Sequence, residues 1–329
     1  MRRESIDWLG YWYDILEQRG QNHHIRISEL DGKLNVVRSF LFHHGRKDGA
    51  GALSHIYREQ LGKRLDPPKS REQKAPAMWR RPSLLRQALK NMESLRPQWK
   101  HFDLSRKNNK SFRQTIGFTV EETENLQRYC RRSNFSSSAF LLDCINQNLL
   151  KELAHPLSAE QSCYGKWLFP VNMRGPVTKP DDEANHASAI YLDADAKAQP
   201  ADIHKQIKEL LTSKVHWGIW WLAHIGKIVG KKMMRKLSLN SSLKSFYIGT
   251  FSNMGQWNNV DDQQPKSNRW QIEAPGSANY PIGIVCLIWN EQMTLSLKIN
   301  RSILPESGPY LDFAGIIKQS CLERSNGSS

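Results

Sequence analysis

The chain has 329 residues, enough for about two domains or one large two-lobed unit. Its 39% hydrophobic content supports a buried core and excludes a disordered chain, and 47 Lys and Arg against 32 acidic residues give a net charge of +15 that favours anionic partners. Five scattered cysteines with no CxxC pair exclude a zinc ribbon or thioredoxin-like motif and point to free thiols in a reducing, cytoplasmic setting; no apolar run follows the charged start, so no secretory signal is expected, and no stretch is long and apolar enough for a membrane helix.

In chain order, Trp8–Glu17 reads as a short helix and Leu34–His43 as a buried strand rich in Val, Leu and Phe. A Gly-bearing turn over 43–51 leads into an amphipathic helix over Ala52–Leu61. Residues 63–113 hold 15 Lys and Arg against four acids and are broken by five prolines, so they read as a long, exposed basic connection with a short helix near Pro82–Ser94. Order returns with a strand at Phe112–Phe118. Thr119 and Glu122 form a capping box for a helix through Arg132, and a serine among 136–138 caps the next helix, to about Leu153. His155–Ser162 is a crossover. Strands are expected at Lys166–Asn172, His186–Leu192, Ser245–Ser252, Gly283–Trp289 and Met293–Asn300, with helices after Pro200 and over Pro309–Glu323. The intermixing predicts an α/β sandwich of mixed sheets, divided into an N-terminal lobe over 1–155 and a C-terminal lobe over 156–329.

One run carries chemistry: His43-His44-Gly45-Arg46-Lys47-Asp48-Gly49, between a strand and a helix. An imidazole titrating near neutrality suits a general base that takes a proton from an attacking hydroxyl or amine as a thioester is cleaved. An acid four residues on, past a tight turn, can lock the loop through a salt bridge. The bland alternative makes the histidines turn residues and Asp48 a helix cap. The second pair, His23-His24, has no Asp at that offset and reads as structural or surface.

This run resembles the HHxxxDG signature of the CoA-dependent acyltransferase superfamily, whose fold is chloramphenicol acetyltransferase-like and whose members include condensation domains and wax-ester synthases. The stretch from Phe118 through the Ser-capped helix to Leu153, Phe169-Pro-Val-Asn-Met-Arg-Gly175, Asn185 and Phe251-Ser-Asn-Met-Gly255 resemble further family features, in the same order. The resemblance implies two lobes with a tunnel between them, His44 as general base with His43 secondary, and an Asp48–Arg174 pair. It also implies Gly49, Ser252 and Asn253 at the substrate, the last two as oxyanion or positioning groups. The donor would be acyl-CoA or acyl-phosphopantetheine on an acyl carrier protein, the acceptor a hydroxyl or amine, and neither a metal nor a resident cofactor is required. A catalytically degenerate condensation-type protein that binds a carrier protein is the alternative. Only 42 residues precede the double histidine, so the N-terminal lobe is expected to be shortened or its start incomplete. Arg46 and Lys47 stand where the family is more often apolar or small; beside a base they would lower its pKa or bind an anionic donor.

Gly226-Lys-Ile-Val-Gly230 lacks the spacing and the Ser or Thr of a phosphate loop. The Trp-rich basic segment Trp217–Lys236 reads as a helix packed in the second lobe, with contact to an anionic membrane surface as the alternative. The basic connection, with Trp79, Trp99 and Phe102 among its charges, is expected to be a solvated face or a dock for a carrier protein or CoA phosphates; no nucleic-acid module accompanies it, so nucleic acid is not an expected partner.

Overall fold

A computed structural model describes residues 7–18, 22–63, 65, 70, 72, 74–102, 111–158, 161–179, 181–244, 246–257, 268–277, 279–306 and 310–327, with the side chains of 240–244 left aside. Parts of the expected basic connection (64, 66–69, 71, 73, 103–110), of the 155–162 crossover (159, 160), and the expected starts at Ser245 and Pro309 lie outside these residues.

The chain runs through α1 (Trp8–Glu17), β1 (His24–Leu30), β2 (Val36–His43), α2 (Gly49–Leu61), α3 (Arg81–Met92), β3 (Ser111–Gly117), α4 (Val120–Arg132) and α5 (Ser137–Ile145). It continues with α6 (Lys151–Leu153), β4 (Cys163–Asn172), β5 (Ala187–Asp195), α7 (Pro200–Ser213), α8 (Val215–Ala223) and α9 (Gly226–Lys244). β6 (Gly249–Trp257), β7 (Arg269–Glu273), β8 (Ile282–Trp289), β9 (Gln292–Asn300) and α10 (Phe313–Asn326) complete it. A six-stranded mixed sheet has the order β3-β9-β8-β6-β4-β5, and a three-stranded antiparallel sheet has the order β2-β1-β7. The architecture is therefore the expected α/β type with a mixed sheet. The five cysteines are free thiols, and among the described residues no helix is long and apolar enough to cross a membrane.

Local rules place much of this. The Thr119–Glu122 capping box forms in both directions, and Ser136 caps α5 through the Ala139 N–H. β8 and β9 are buried along nearly their whole length, as expected for strands covered on both faces. One core joins the large sheet to α4, α5 and α10; a second joins Ile25 and Ile27 of β1, Leu53 and Ile56 of α2, and Trp270 and Trp289.

Four expectations need correction. The segment before Leu34 contains a strand, β1, at the centre of the small sheet, and Trp270 and Ile272 lie on another, β7, that the sequence did not signal. The strand ending at His43 is not buried: it is the sheet's edge, with Val36, Val37 and Leu41 more than half exposed. The helix to Leu153 is not uniform, because a π-helical turn over Asn146–Leu150 lets Asn146 accept the buried Trp167 indole N–H at 2.8 Å. Finally, the basic connection is not wholly exposed, since Leu84 and Ala88 of α3 are buried against α8.

The Trp-rich segment divides into two helices. In α8, Trp217 is buried and donates its indole N–H to Glu72 at 2.6 Å, and Arg81 stacks over Trp221 at 4.9 Å, in agreement with the packed reading. In α9 the chain breaks helical geometry at Gly230, and Ile228, Met233 and Leu237 face outward.

The α3–α8 contact depends on close backbone approach. A Cβ at Gly218 would lie 2.2 Å from the Leu84 carbonyl oxygen, a collision with backbone that no rotamer relieves. Gly218→Ala is expected to cost about 1–3 kcal/mol by urea unfolding, despite the higher helix propensity of Ala.

Candidate active site

The HHxxxDG loop turns from β2 into α2. Strand alternation sends the two histidines to opposite sides. His44 lines a cavity of about 470 Å³, whereas His43 does not, and lies 3.2 Å from Glu17 and 3.7 Å from Asp14 of α1. The cavity is walled by α1 (Trp12, Tyr13), β4, α8 (Trp220) and β6, with polar groups at Asn279 and Tyr280.

Asp48 and Arg174 meet as expected, in a buried bidentate pair with both contacts at 2.8 Å. The pair is saturated. Asp48 also accepts the Gly51 N–H at 2.8 Å, which caps α2, and the His186 N–H at 2.9 Å. Its four acceptor sites are thereby filled. Arg174 donates its Nε to the Asp182 carbonyl at 2.6 Å, and its terminal nitrogens also reach Asn172 and the Ala184 carbonyl. All five guanidinium N–H groups therefore have acceptors. The ion-pair and cap readings of Asp48 both hold.

The chain between β4 and β5 clasps the motif loop at further points. Asn185 donates its side-chain amide to the His44 carbonyl at 2.7 Å and its backbone N–H to the Arg46 carbonyl at 3.0 Å. The Glu183 carbonyl lies so near Gly51 that a Cβ there would sit 2.1 Å from it. At Gly49 the atoms nearest to a Cβ would be Met254 and Ile272 side chains at 3.3–3.4 Å, a close fit in which those side chains would have to give by a few tenths of an ångström.

Arg46 and Lys47 do not act on the base as expected. Arg46 pairs with Asp7 at 3.0 Å and Asp14 at 2.9 Å, and Lys47 with Glu183 at 3.3 Å. Their charge is answered by acids far away in sequence. His44 still has a lowered pKa, because burial disfavours the imidazolium more than the Asp48 charge and the Lys47 backbone favour it; His43 lowers it further. The Nδ1 atom of His44 is shut off from solvent, which leaves Nε2 as the ring nitrogen able to reach a ligand.

Ser252 and Asn253 both line the cavity, but their polar groups are engaged within β6 and with α5. Asn253 donates its amide to Ser138 Oγ at 2.8 Å and accepts the Gly255 N–H at 2.9 Å, and the Ser252 hydroxyl turns to Met254 Sδ at 3.6 Å. Two residues escaped the sequence reading. His23, taken as structural or surface, is buried and lines the same cavity as His44. Tyr13 stands between them, edge-on to both rings at 5.1 and 5.3 Å between centroids, and burial raises its pKa to about 12, which keeps its hydroxyl protonated. Outside the cavity, Asp14, Glu17 and His43 bring three atoms of metal-ligand type within 4.8 Å of one another, but Asp14 is already paired with Arg46 and Glu17 lies 3.5 Å from the His24 ring.

The Asp48–Arg174 geometry sets a double-mutant test. Asp48→Asn keeps a capping oxygen while removing the charge, so it isolates the ion pair from the cap. Asp48→Asn and Arg174→Met are each expected to lower stability by about 3–5 kcal/mol, because each leaves a buried charge unpaired, and the double variant by less than their sum. Additive losses in denaturant unfolding would mean that the pair contributes no coupling.

The buried histidine gives a pH signature. Burial, reinforced by His44, His43, His24 and Lys298, depresses the His23 pKa from 6.5 to about 3. Between these values the unfolded chain takes up a proton that the folded protein refuses. The associated stability is complete above pH 6.5 and is lost as pH falls toward 3, at up to about 1.4 kcal/mol per pH unit. His23→Gln is expected to flatten the decline in melting temperature across this range.

No family model and no curated protein matches this sequence. Solved structures do match. The EpoB NRPS cyclization-docking bidomain from Sorangium cellulosum aligns with 88% of this chain and 60% of its own, at 11% identity and a TM-score of 0.55. The SgcC5 protein from Streptomyces globisporus aligns with 87% of this chain and 69% of its own, at 11% identity and a TM-score of 0.50. A wax ester synthase/diacylglycerol acyltransferase from Marinobacter aquaeolei VT8 aligns over 88% and 67%, at 14% identity and a TM-score of 0.48. The likeness is one of fold: this chain shares a mixed α/β fold with these structures, and spans 60% of the EpoB bidomain.

Proposed function

We propose that this protein is an acyltransferase that moves an acyl group from a CoA or carrier-protein thioester to a hydroxyl or amine, with His44 as general base. The observation that carries this reading is the placement of His44: an imidazole kept neutral by burial opens into a 470 Å³ cavity, on a loop clamped by Asp48, Arg174 and Asn185. In this mechanism His44 Nε2 takes the proton of the acceptor as the acceptor attacks the thioester carbon. The C–S bond then breaks, and the imidazolium returns the proton to the leaving thiolate. Asp48 and Arg174 have no hydrogen-bonding capacity left for substrate, so their role is to hold the loop. His43, outside the cavity, is secondary.

The shared fold with a cyclization-docking bidomain supports a carrier-bound donor as well as a CoA donor. The basic connection suits either, since carrier proteins as a class are acidic and CoA carries phosphates. The exposed Ile228, Met233 and Leu237 on the lysine-rich α9 favour, as a second proposal, peripheral contact with an anionic membrane that supplies a lipid acceptor.

The test is mass detection of acyl transfer from a panel of acyl-CoAs and acyl-carrier proteins to alcohols and amines. His44→Ala should lower turnover by about 10²–10⁴ with the fold intact. The acidic limb of the wild-type rate profile should fall below the ordinary histidine value of 6.5, because the folded base stays unprotonated to lower pH. A folded His44→Ala protein with full activity would remove His44 from the mechanism. Carrier-protein binding without any turnover would favour the degenerate, partner-binding alternative.

A further inference from the structure

The charges around the cavity are already matched. Among the described residues that line it, Asp48 and Arg174 are the only side chains charged at neutral pH, and each is saturated by the other and by further hydrogen bonds. Burial holds the His44 pKa below the ordinary histidine value and that of His23 at about 3, so neither imidazole offers a cation there. Burial also raises the pKa values of Tyr13, Tyr191 and Tyr280, so the polar lining they form is uncharged as well. A carboxylate or ammonium entering this cavity would lose water and find no counter-charge, the costly case for a buried ion.

Two helices give the same cavity an apolar wall. On α1, Leu9, Trp12 and Leu16 follow the i, i+3, i+7 spacing of one helix face, and on α8 Ile219, Trp220 and Leu222 lie within one turn. All six line the cavity and all are only half-buried, unlike Ile15 of α1 and Trp217 of α8, which are buried within the protein. Their apolar surface is left for a ligand to cover. This wall adjoins the base. Tyr13, between Trp12 and Leu16 on α1, packs edge-on against the His44 ring at 5.3 Å between centroids.

We propose that the cavity selects an uncharged aliphatic acyl group, held against α1 and α8, and rejects aminoacyl groups with a free ammonium and dicarboxylic acyl groups. This rests on the acyl-transfer reading and names its substrate class. Each methylene of the chain exchanges contact with water for contact with the apolar wall, whereas a terminal charge gives up its hydration with nothing to replace it. The amides of a pantetheine arm are uncharged too, so the donor's arm meets the same condition.

Thioethers of pantetheine provide the test, because they carry the arm common to CoA and carrier-bound donors and cannot transfer a group. In calorimetry on the wild-type protein, affinity should rise about fourfold per methylene from S-butyl- to S-octylpantetheine. The S-(7-carboxyheptyl) and S-(7-aminoheptyl) thioethers, which replace the terminal methyl of the octyl chain by a charge, should bind about 100-fold more weakly. Leu16→Arg should weaken binding of the octyl thioether about 10-fold and strengthen that of the carboxylate. An affinity independent of chain length, or charged thioethers that bind wild type as tightly as the octyl one, would overturn the proposal while leaving acyl transfer intact. Equal affinity of wild type and folded Leu16→Arg for the octyl thioether would overturn the placement of the chain against α1. Failure of every thioether to bind wild type, with acyl transfer seen in the panel assay, would likewise overturn the proposal. Failure in both would remove the acyl-transfer reading as well.

Discussion

The buried Asp48–Arg174 pair is the constraint on which the site depends. Two opposite charges out of water are favourable only when their geometry is close and their remaining hydrogen-bonding groups are satisfied. Both conditions hold, with four acceptors filled on the carboxylate and five donors on the guanidinium. The carboxylate also caps α2, so the start of that helix, the motif loop and the chain after β4 are fixed by one group. Changing any of these three elements alone would strand a buried charge or a helix-terminal N–H.

Because the pair is saturated, the chemistry falls to what faces the cavity. His44 is the clearest such group. Its environment contains opposing effects, and burial outweighs the nearby carboxylate. The loop cations take no part in that balance, since Arg46 and Lys47 are each matched by acids. Those acids lie on α1 or its cap and in the chain leading to β5, so the same ion pairs that neutralise the loop also tie it to its neighbours.

Much of this was legible in the sequence wherever the signal was local. The capping box at Thr119, the Ser136 cap and the strand–turn–helix around the double histidine each need only a few adjacent residues, and each forms. The Asp48–Arg174 partnership was legible only through family resemblance, since 126 residues separate the two. β1 and β7 were not legible. His24–Leu30 interleaves Ile25 and Ile27 with charge, and Arg269–Glu273 is five residues long, so neither declares itself until it pairs. The length and hydrophobicity of Leu34–His43 suggested a central strand; its edge position follows from partners that its own composition does not specify. Asn253, an oxyanion or positioning candidate by resemblance, lines the cavity, but its local sequence gives no sign of what its amide meets. Ser138, contributed by α5, engages it.

His23 shows why the site could not be completed from motif spacing. Its nearness to His44 is a matter of register, because β1 runs antiparallel to β2 with His24 opposite His43. A slip of one residue would turn every side chain of β1 to the other face and take the imidazole next to His44 out of the cavity. Register is specified where one face is buried, and here Ile25 and Ile27 specify it by packing against α2 and β7. The irregularity in this ladder falls at Glu29–Leu30, the end remote from the histidines, so the pairing is undistorted where the two imidazoles are set. Apolar burial of Ile25 and Ile27 thereby determines where His23, two residues before Ile25 on the same face, stands, and the geometry of the candidate site is inherited from the packing of β1.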